Sequence, residues 1–245
     1  MEQKILLQRG TKPTELHYHY YTAAKYEEDI RIAIPGYEKM NELIKQTLVE
    51  YFQKRNRKIT VLELGIGTGL TAEIVLENTN VGKYTGIDFS DAMLDGAKVR
   101  LKQYIPELVY GDYAKIKFPK ENDLVISVIS IHHQATDRDK QILFKKIYDS
   151  LAPDGIFIFG DLFTQKNERD IALNKAHHLH HLVENAADEK TLTEWAHHYE
   201  FVNHLAPLED QMQWLKECGF AKVKLLFSKF NTSLIVAEKN TQKKG

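Results

Sequence analysis

The sequence predicts an α/β fold built on a mostly parallel sheet, and three observations carry that expectation. From residue 59 onward, short apolar segments rich in β-branched residues alternate with segments of helical period, the pattern of a parallel sheet covered by helices on both faces. The first strand-like segment runs straight into a glycine-rich turn that opens a helix. The last two are separated by only a few residues, so they form an antiparallel hairpin at one sheet edge.

Residues 1–20 lack clear periodicity and read as an arm whose Tyr18, Tyr20 and Tyr21 serve packing. From Thr22 to Gln53 the apolar positions fall at helical spacing, and Pro35-Gly36 divides the segment into two helices. The charge run Lys54-Arg55-Asn56-Arg57-Lys58 reads as a solvated loop. Strands are expected at Ile59–Leu64, Lys83–Asp88, Leu108–Gly111, Asp123–Ser130 and Ile156–Phe159, with helices at Leu70–Glu77, Asp91–Leu101 and Arg138–Leu151 between them. A helical insertion, Gln165–Tyr199, follows the fifth strand, and the helix Leu208–Cys218 is closed by Gly219. Lys222–Phe227 and Ser233–Glu238 are the final strands. The chain, 1–245, reads as one domain: a helical preface 1–53, a core of 59–163 and 208–238, and an insertion 164–207.

Charge and cysteine content narrow the function. The 33 Lys and Arg against 34 Asp and Glu leave a formal charge of −1, which supplies no basic field for a polyphosphate backbone. A single cysteine, Cys218, makes no internal disulfide, and the start carries no apolar stretch of signal-peptide length, so a cytoplasmic protein is expected. Leu124–Ile131 is far short of the ~18 apolar residues of a membrane span.

The chemistry begins at Val61-Leu62-Glu63-Leu64-Gly65-Ile66-Gly67-Thr68-Gly69. Glycines at a strand-to-helix turn let the backbone pass close to a ligand and aim the helix N-terminus at it. Tyr84-Thr85-Gly86-Ile87-Asp88 places a carboxylate at the end of the second strand, 21 residues after Gly67, where it can accept both hydroxyls of a ribose. The two elements specify a nucleoside-containing cofactor. A dinucleotide fingerprint requires glycine at position 70, which is Leu, so NAD is disfavoured.

Glycines at 65, 67 and 69 with Glu63 ahead of them resemble motif I of the class I S-adenosylmethionine-dependent methyltransferases. The resemblance continues in order through Asp88-Phe89, Gly111-Asp112-Tyr113, Asp123–Ser127 and Leu151-Ala152-Pro153-Asp154-Gly155. It implies a Rossmann-like, seven-stranded, mostly parallel sheet of order 3-2-1-4-5-7-6 with N-terminal helices and an inserted helical lid. It further implies S-adenosyl-L-methionine contacts from Gly65, Ile66 and Gly67, from Asp88 and Phe89 at the ribose, and from Asp112 and Tyr113 at the adenine. Glu63 and Ser127 would lie toward the amino-acid end. Ile34-Pro35-Gly36-Tyr37, the insertion with its paired histidines and Phe230-Asn231-Thr232-Ser233-Leu234 look like the carboxy-S-adenosylmethionine synthases, a branch serving tRNA wobble-uridine modification. In that branch the tyrosine corresponding to Tyr37 closes over the cofactor.

His132 and His133 leave the fourth strand at its C-terminal end, where open parallel sheets place their ligands, and His132 is the candidate base. Asp161, placed after the fifth strand, should face the same cleft and is the second catalytic candidate. In the insertion, Ala172, Ala176, Leu179, Val183 and Ala186 are expected to form the buried stripe, with His177, His180, His181 and Glu184 on an adjoining, solvated face. That spacing could hold a metal, but no metal site is assigned.

The expected activity is methyl transfer from S-adenosylmethionine to a small-molecule nucleophile. The alternatives are a carboxy-S-adenosylmethionine synthase-like enzyme and, in another class, a cofactor-binding protein without turnover. The balanced charge disfavours an RNA methyltransferase. No membrane partner is expected, and a homodimer is left open. In the synthases an arginine before the last sheet helix holds the cofactor carboxylate. Here no arginine follows Arg169, and Thr191–Tyr199 offers only His197 and His198. Ordinary S-adenosylmethionine is therefore the expected cofactor.

Overall fold

The computed structural model describes residues 23–201 and 203–240. The expected N-terminal arm lies outside them, as does the side chain of His197. Seven strands, β1 Ile59–Leu64, β2 Val81–Asp88, β3 Glu107–Tyr110, β4 Asn122–Val128, β5 Leu151–Leu162, β6 Lys222–Lys229 and β7 Thr232–Glu238, form one sheet. Their order is β3-β2-β1-β4-β5-β7-β6, as expected. Strands β1 to β5 are parallel, and β7 is antiparallel to both β5 and β6. The helices are α1 Ala23–Ala33, α2 Tyr37–Phe52, α3 Leu70–Asn78, α4 Asp91–Arg100, α5 Asp137–Ser150, α6 Glu168–Asn185, α7 Glu189–Phe201 and α8 Leu208–Glu217.

Period-two alternation sends successive residues of each central strand into two different cores. Val61, Ile126, Ile158 and Val236 pack against Met40, Ile44 and Leu48 of α2 and against α3 and α4. Leu62, Val125, Phe157 and Phe159 pack against Leu143, Phe144 and Ile147 of α5 and Leu215 of α8. Helix starts are set locally: side-chain oxygens of Ser90, Thr136 and Asn167 accept first-turn amides of α4, α5 and α6. Among the described residues no helix is long and apolar enough to cross a membrane.

The charge run is the solvated loop expected, with Lys54, Asn56, Arg57 and Lys58 exposed, and from it Arg55 and Arg57 converge on buried Asp123 at the base of β4, which also accepts the Thr60 amide at 3.0 Å. Burial opposes ionisation of Asp123, but the Arg57 hydrogen bonds outweigh it and hold the carboxyl below its usual range.

The fifth strand is longer than Ile156–Phe159. Its pairing with β7 extends from Ile156 opposite Glu238 to Leu162 opposite Thr232, so Asp161 lies within the strand and not after it.

The insertion is two helices, and α6 buries His178 and Leu182 while Ala172, Ala176 and Val183 stay exposed. Apolarity alone assigned the wrong stripe, because α6 rests on α1 and α7 through aromatic contacts such as His178 stacked on Tyr199 at 4.1 Å.

Candidate active site

The glycine turn is bent over the end of β2. Gly65 and Ile66 both donate their amides to the Ile87 carbonyl, at 2.9 and 3.1 Å. Gly65 has φ +73°, and a Cβ there would stand 2.2 Å from Ser130 Oγ, so no side chain fits. Ile66 in turn occupies the space above Gly86, where a Cβ would meet Ile66 Cδ1 at 2.3 Å.

Asp88 closes this turn. Its Oδ2 accepts the Gly67 amide and its Oδ1 the Ser90 amide, each at 2.9 Å. Burial pushes the Asp88 carboxyl above its usual range, against the pull of backbone N–H groups of Ser90, Gly67 and Phe89. Ser127 donates to the Leu64 carbonyl at 2.9 Å, beneath the turn. Buried Tyr113 donates its hydroxyl to the Ser130 carbonyl at 3.1 Å. Gly65, Ile66, Gly67, Asp88, Phe89, Tyr113 and Ser127 are thus brought together.

Asp112 sits on the rim, where it accepts the Ala114 amide at 2.8 Å and pairs with Lys115 at 3.2 Å, which makes it a turn former in its own loop. Glu63 and Tyr37 are buried on the α2 side of the sheet. Glu63 accepts the Tyr84 hydroxyl at 2.6 Å, and burial pushes its carboxyl up to about 8.

The second half of the site is a short 3-10 turn, Ile131–His133, just beyond β4. Asp161 accepts three hydrogen bonds there: His132 Nδ1–H at 2.5 Å, the His132 amide at 2.9 Å and the Leu162 amide at 2.8 Å. A carboxylate so occupied places the imidazole proton on Nδ1 and leaves Nε2 as the acceptor. Asp161, expected to face the cleft, is 1% exposed and turned to His132.

Sequence reasoning missed Lys140, which is buried on α5 and donates to the Gln134 carbonyl at 2.8 Å, pinning the far end of the same turn. A lysine in a charged helix segment carries no signal of burial. It also missed the aromatic and acidic residues of α1 and α7.

His132, His133 and Leu162 line a cavity of about 130 Å³ that α1, α6 and α7 close with Tyr26, Asp29, His178 and Trp195. Tyr26 joins the two halves, because a Cβ on Gly67 would lie 3.9 Å from its ring. The remaining histidines of α6 have separate partners: His177 stacks on Phe230 at 4.8 Å, His181 donates to the Ile32 carbonyl at 2.8 Å, and His180 pairs with Glu184 at 3.4 Å in solvent. Among the described residues no group of three or more His, Cys, Asp or Glu is placed to hold a metal ion.

Comparison with known proteins agrees with this architecture. A family described as a methyltransferase domain matches residues 61–155. An uncharacterized methyltransferase of Oceanobacillus iheyensis is 33% identical over 151 residues, which cover 60% of this chain and 66% of that protein. The carboxy-S-adenosyl-L-methionine synthase of Shewanella piezotolerans is 27% identical over 223 residues, covering 89% of this chain and 90% of the synthase. Among solved structures, an O-methyltransferase family protein from Burkholderia thailandensis superposes with a TM-score of 0.65 at 14% identity, covering 96% of this chain and 64% of that one. The glycine turn with Asp88 behind it, the strand order and these likenesses agree: residues 61–155 form a methyltransferase domain, the architecture is that of the class I S-adenosylmethionine-dependent methyltransferases, and the chain is similar along most of its length to the carboxy-S-adenosylmethionine synthase branch.

Proposed function

We propose that this protein transfers the methyl group of S-adenosylmethionine to a small-molecule nucleophile held in the cavity beside the glycine turn. The observation that carries this reading is His132, which lines that cavity while its Nδ1 is bonded to Asp161 behind it.

The residues fit the cofactor. Asp88 offers a carboxylate at a glycine turn that excludes side chains, and the buried Thr68 hydroxyl beside it has no hydrogen-bond partner among the described residues. A cation near Glu63 would draw its carboxyl back toward ionisation. When bound, the cofactor supplies a methyl group already activated on a sulfonium. The protein's work is then mainly alignment, which can contribute ~7–11 kcal/mol to lowering the barrier. His132 removes the acceptor's proton, and Asp161 holds the ring in the tautomer that can do so.

Asp88→Ala should weaken S-adenosylmethionine binding by ~1–3 kcal/mol through loss of charge-assisted hydrogen bonds. NAD should not compete with the cofactor in wild-type protein. Unchanged affinity of the variant in calorimetry would remove the ribose assignment.

The carboxy-S-adenosylmethionine synthase reading is the alternative, supported by the breadth of that similarity. Against it stands the lining of the cavity, which contains neither Lys nor Arg among the described residues. A carboxylate placed there would be poorly compensated. Mass spectrometry of the cofactor recovered from freshly purified protein separates the two. Ordinary S-adenosylmethionine or its demethylated product is expected, and a dominant carboxylated species would overturn the choice.

A further inference from the structure

The cavity beside His132 has a charge and shape that select one class of acceptor. Its walls are mainly aromatic and aliphatic, with Tyr26 and Ile30 from α1, Leu182 from α6 and Trp195 and Tyr199 from α7. Two polar side chains stand out among them. Asp29 is a carboxylate that accepts a hydrogen bond from the Trp195 side chain. Burial pushes its pKa up, Lys25 one turn earlier pulls the other way, and Glu28 and Glu194 add negative charge nearby. His178 is 3% exposed, lies flat on Tyr199 and hydrogen-bonds the Asn231 side chain. Burial pushes His178 down to about 4, so near pH 7 it is a neutral imidazole. His204, half-buried behind His132, is also pushed down by burial.

An anionic acceptor entering this space would meet the Asp29 carboxylate and the neutral His178, with no lysine or arginine among the described lining residues to receive it. An ammonium group would meet the Asp29 carboxylate among the aromatic side chains of Tyr26 and Trp195, a residue type whose ring quadrupole attracts cations. The small volume, about 130 Å³, limits the rest of the molecule to little more than a single ring or a short chain.

From these observations, and resting on the methyltransferase reading above, we infer that the cavity takes a small amine, held as its ammonium by Asp29 and methylated on nitrogen. The step balances within the site. One N–H proton of the ammonium passes to His132 Nε2, and the freed nitrogen lone pair forms the new N–CH3 bond as the S–CH3 bond breaks. The positive charge lost from sulfur appears on the methylated ammonium, and the sulfur leaves as a neutral thioether.

The test uses two probes of similar shape and opposite charge, phenethylamine and 3-phenylpropionate, with full-length protein saturated with S-adenosylhomocysteine. Calorimetry should show the amine binding at least tenfold more tightly than the carboxylate. In Asp29→Asn that preference should fall to within about threefold, while affinity for S-adenosylhomocysteine stays unchanged and so certifies the fold. Methyl-labelled S-adenosylmethionine should yield labelled N-methylphenethylamine with the wild-type protein.

Tighter binding of the carboxylate, no binding of the amine, or an amine preference that survives Asp29→Asn would overturn the inference. Asp29-dependent amine binding with no labelled product would support the amine site and overturn methyl transfer itself. Failure of the protein to bind S-adenosylhomocysteine would overturn both.

Discussion

Replacing His132 with Ala is expected to lower turnover by about 10²–10⁴-fold, the range of a positioned general base, while S-adenosylmethionine affinity changes by less than about threefold. The separation follows from where the residue sits. His132 lies in the turn beyond β4, buried at 3%, with its ring committed to Asp161 on one side and the cavity on the other. The cofactor-side bonds, Gly67 to Asp88 and Ser127 to Leu64, do not pass through it. Asp161→Asn provides the companion measurement. The amide preserves shape but can present N–H to Nδ1, which favours the tautomer with the proton on Nε2 and removes the acceptor. Its turnover should fall while cofactor affinity holds, and the pH profile of the residual rate should lose the limb that belongs to the base. Parallel losses of affinity and turnover in both variants would instead assign the pair to packing of the 130–134 turn.

Phe144→Ala is expected to destabilise the fold by ~3–5 kcal/mol, which for a chain of this size lowers the midpoint by roughly 6–20 °C. Phe144 of α5 is fully buried, with its ring 5.5 Å from Phe159 and 6.2 Å from Phe157 on β5. Truncation leaves a cavity between helix and sheet that the close-packed strands on either side cannot collapse to fill. Ile142, two residues earlier on the same helix and 53% exposed, is the control, and its change to Ala should stay within ~0.5 kcal/mol. Urea unfolding checks both. A loss below about 1 kcal/mol at Phe144 would mean that α5 can reseat on the sheet. Because β5 also carries Asp161, a variant that is folded but loosened at Phe144 should lose turnover before it loses cofactor affinity.

The cofactor half of the site was legible because its chemistry is local in sequence. A turn that must pass close to a ligand needs glycine, and a ribose-binding acid is expected at the end of the next strand, so Gly65–Gly69 and Asp88 are singled out by spacing alone. The sheet was legible for a related reason, since strands buried on both faces are continuous apolar runs.

The acceptor half was not. His132 and Asp161 were both visible as residues near strand ends, but their partnership depends on β4 and β5 being neighbours and on β5 running on to Leu162. Asp29, Trp195 and His178 come from three helices with no shared motif, and their meeting is decided by how α1, α6 and α7 pack. Apolarity in α6 even pointed the wrong way, because the helix is held by stacked rings and not by an aliphatic stripe. The sequence by itself therefore determined the fold class, which rests on short-range periodicity, and the cofactor, which rests on the backbone requirements of the glycine turn together with the resemblance to the methyltransferase motifs. Only the tertiary structure decided which side chains line the cavity beside His132, because burial and charge pairing between distant segments are properties of packing and leave no periodic trace in the chain.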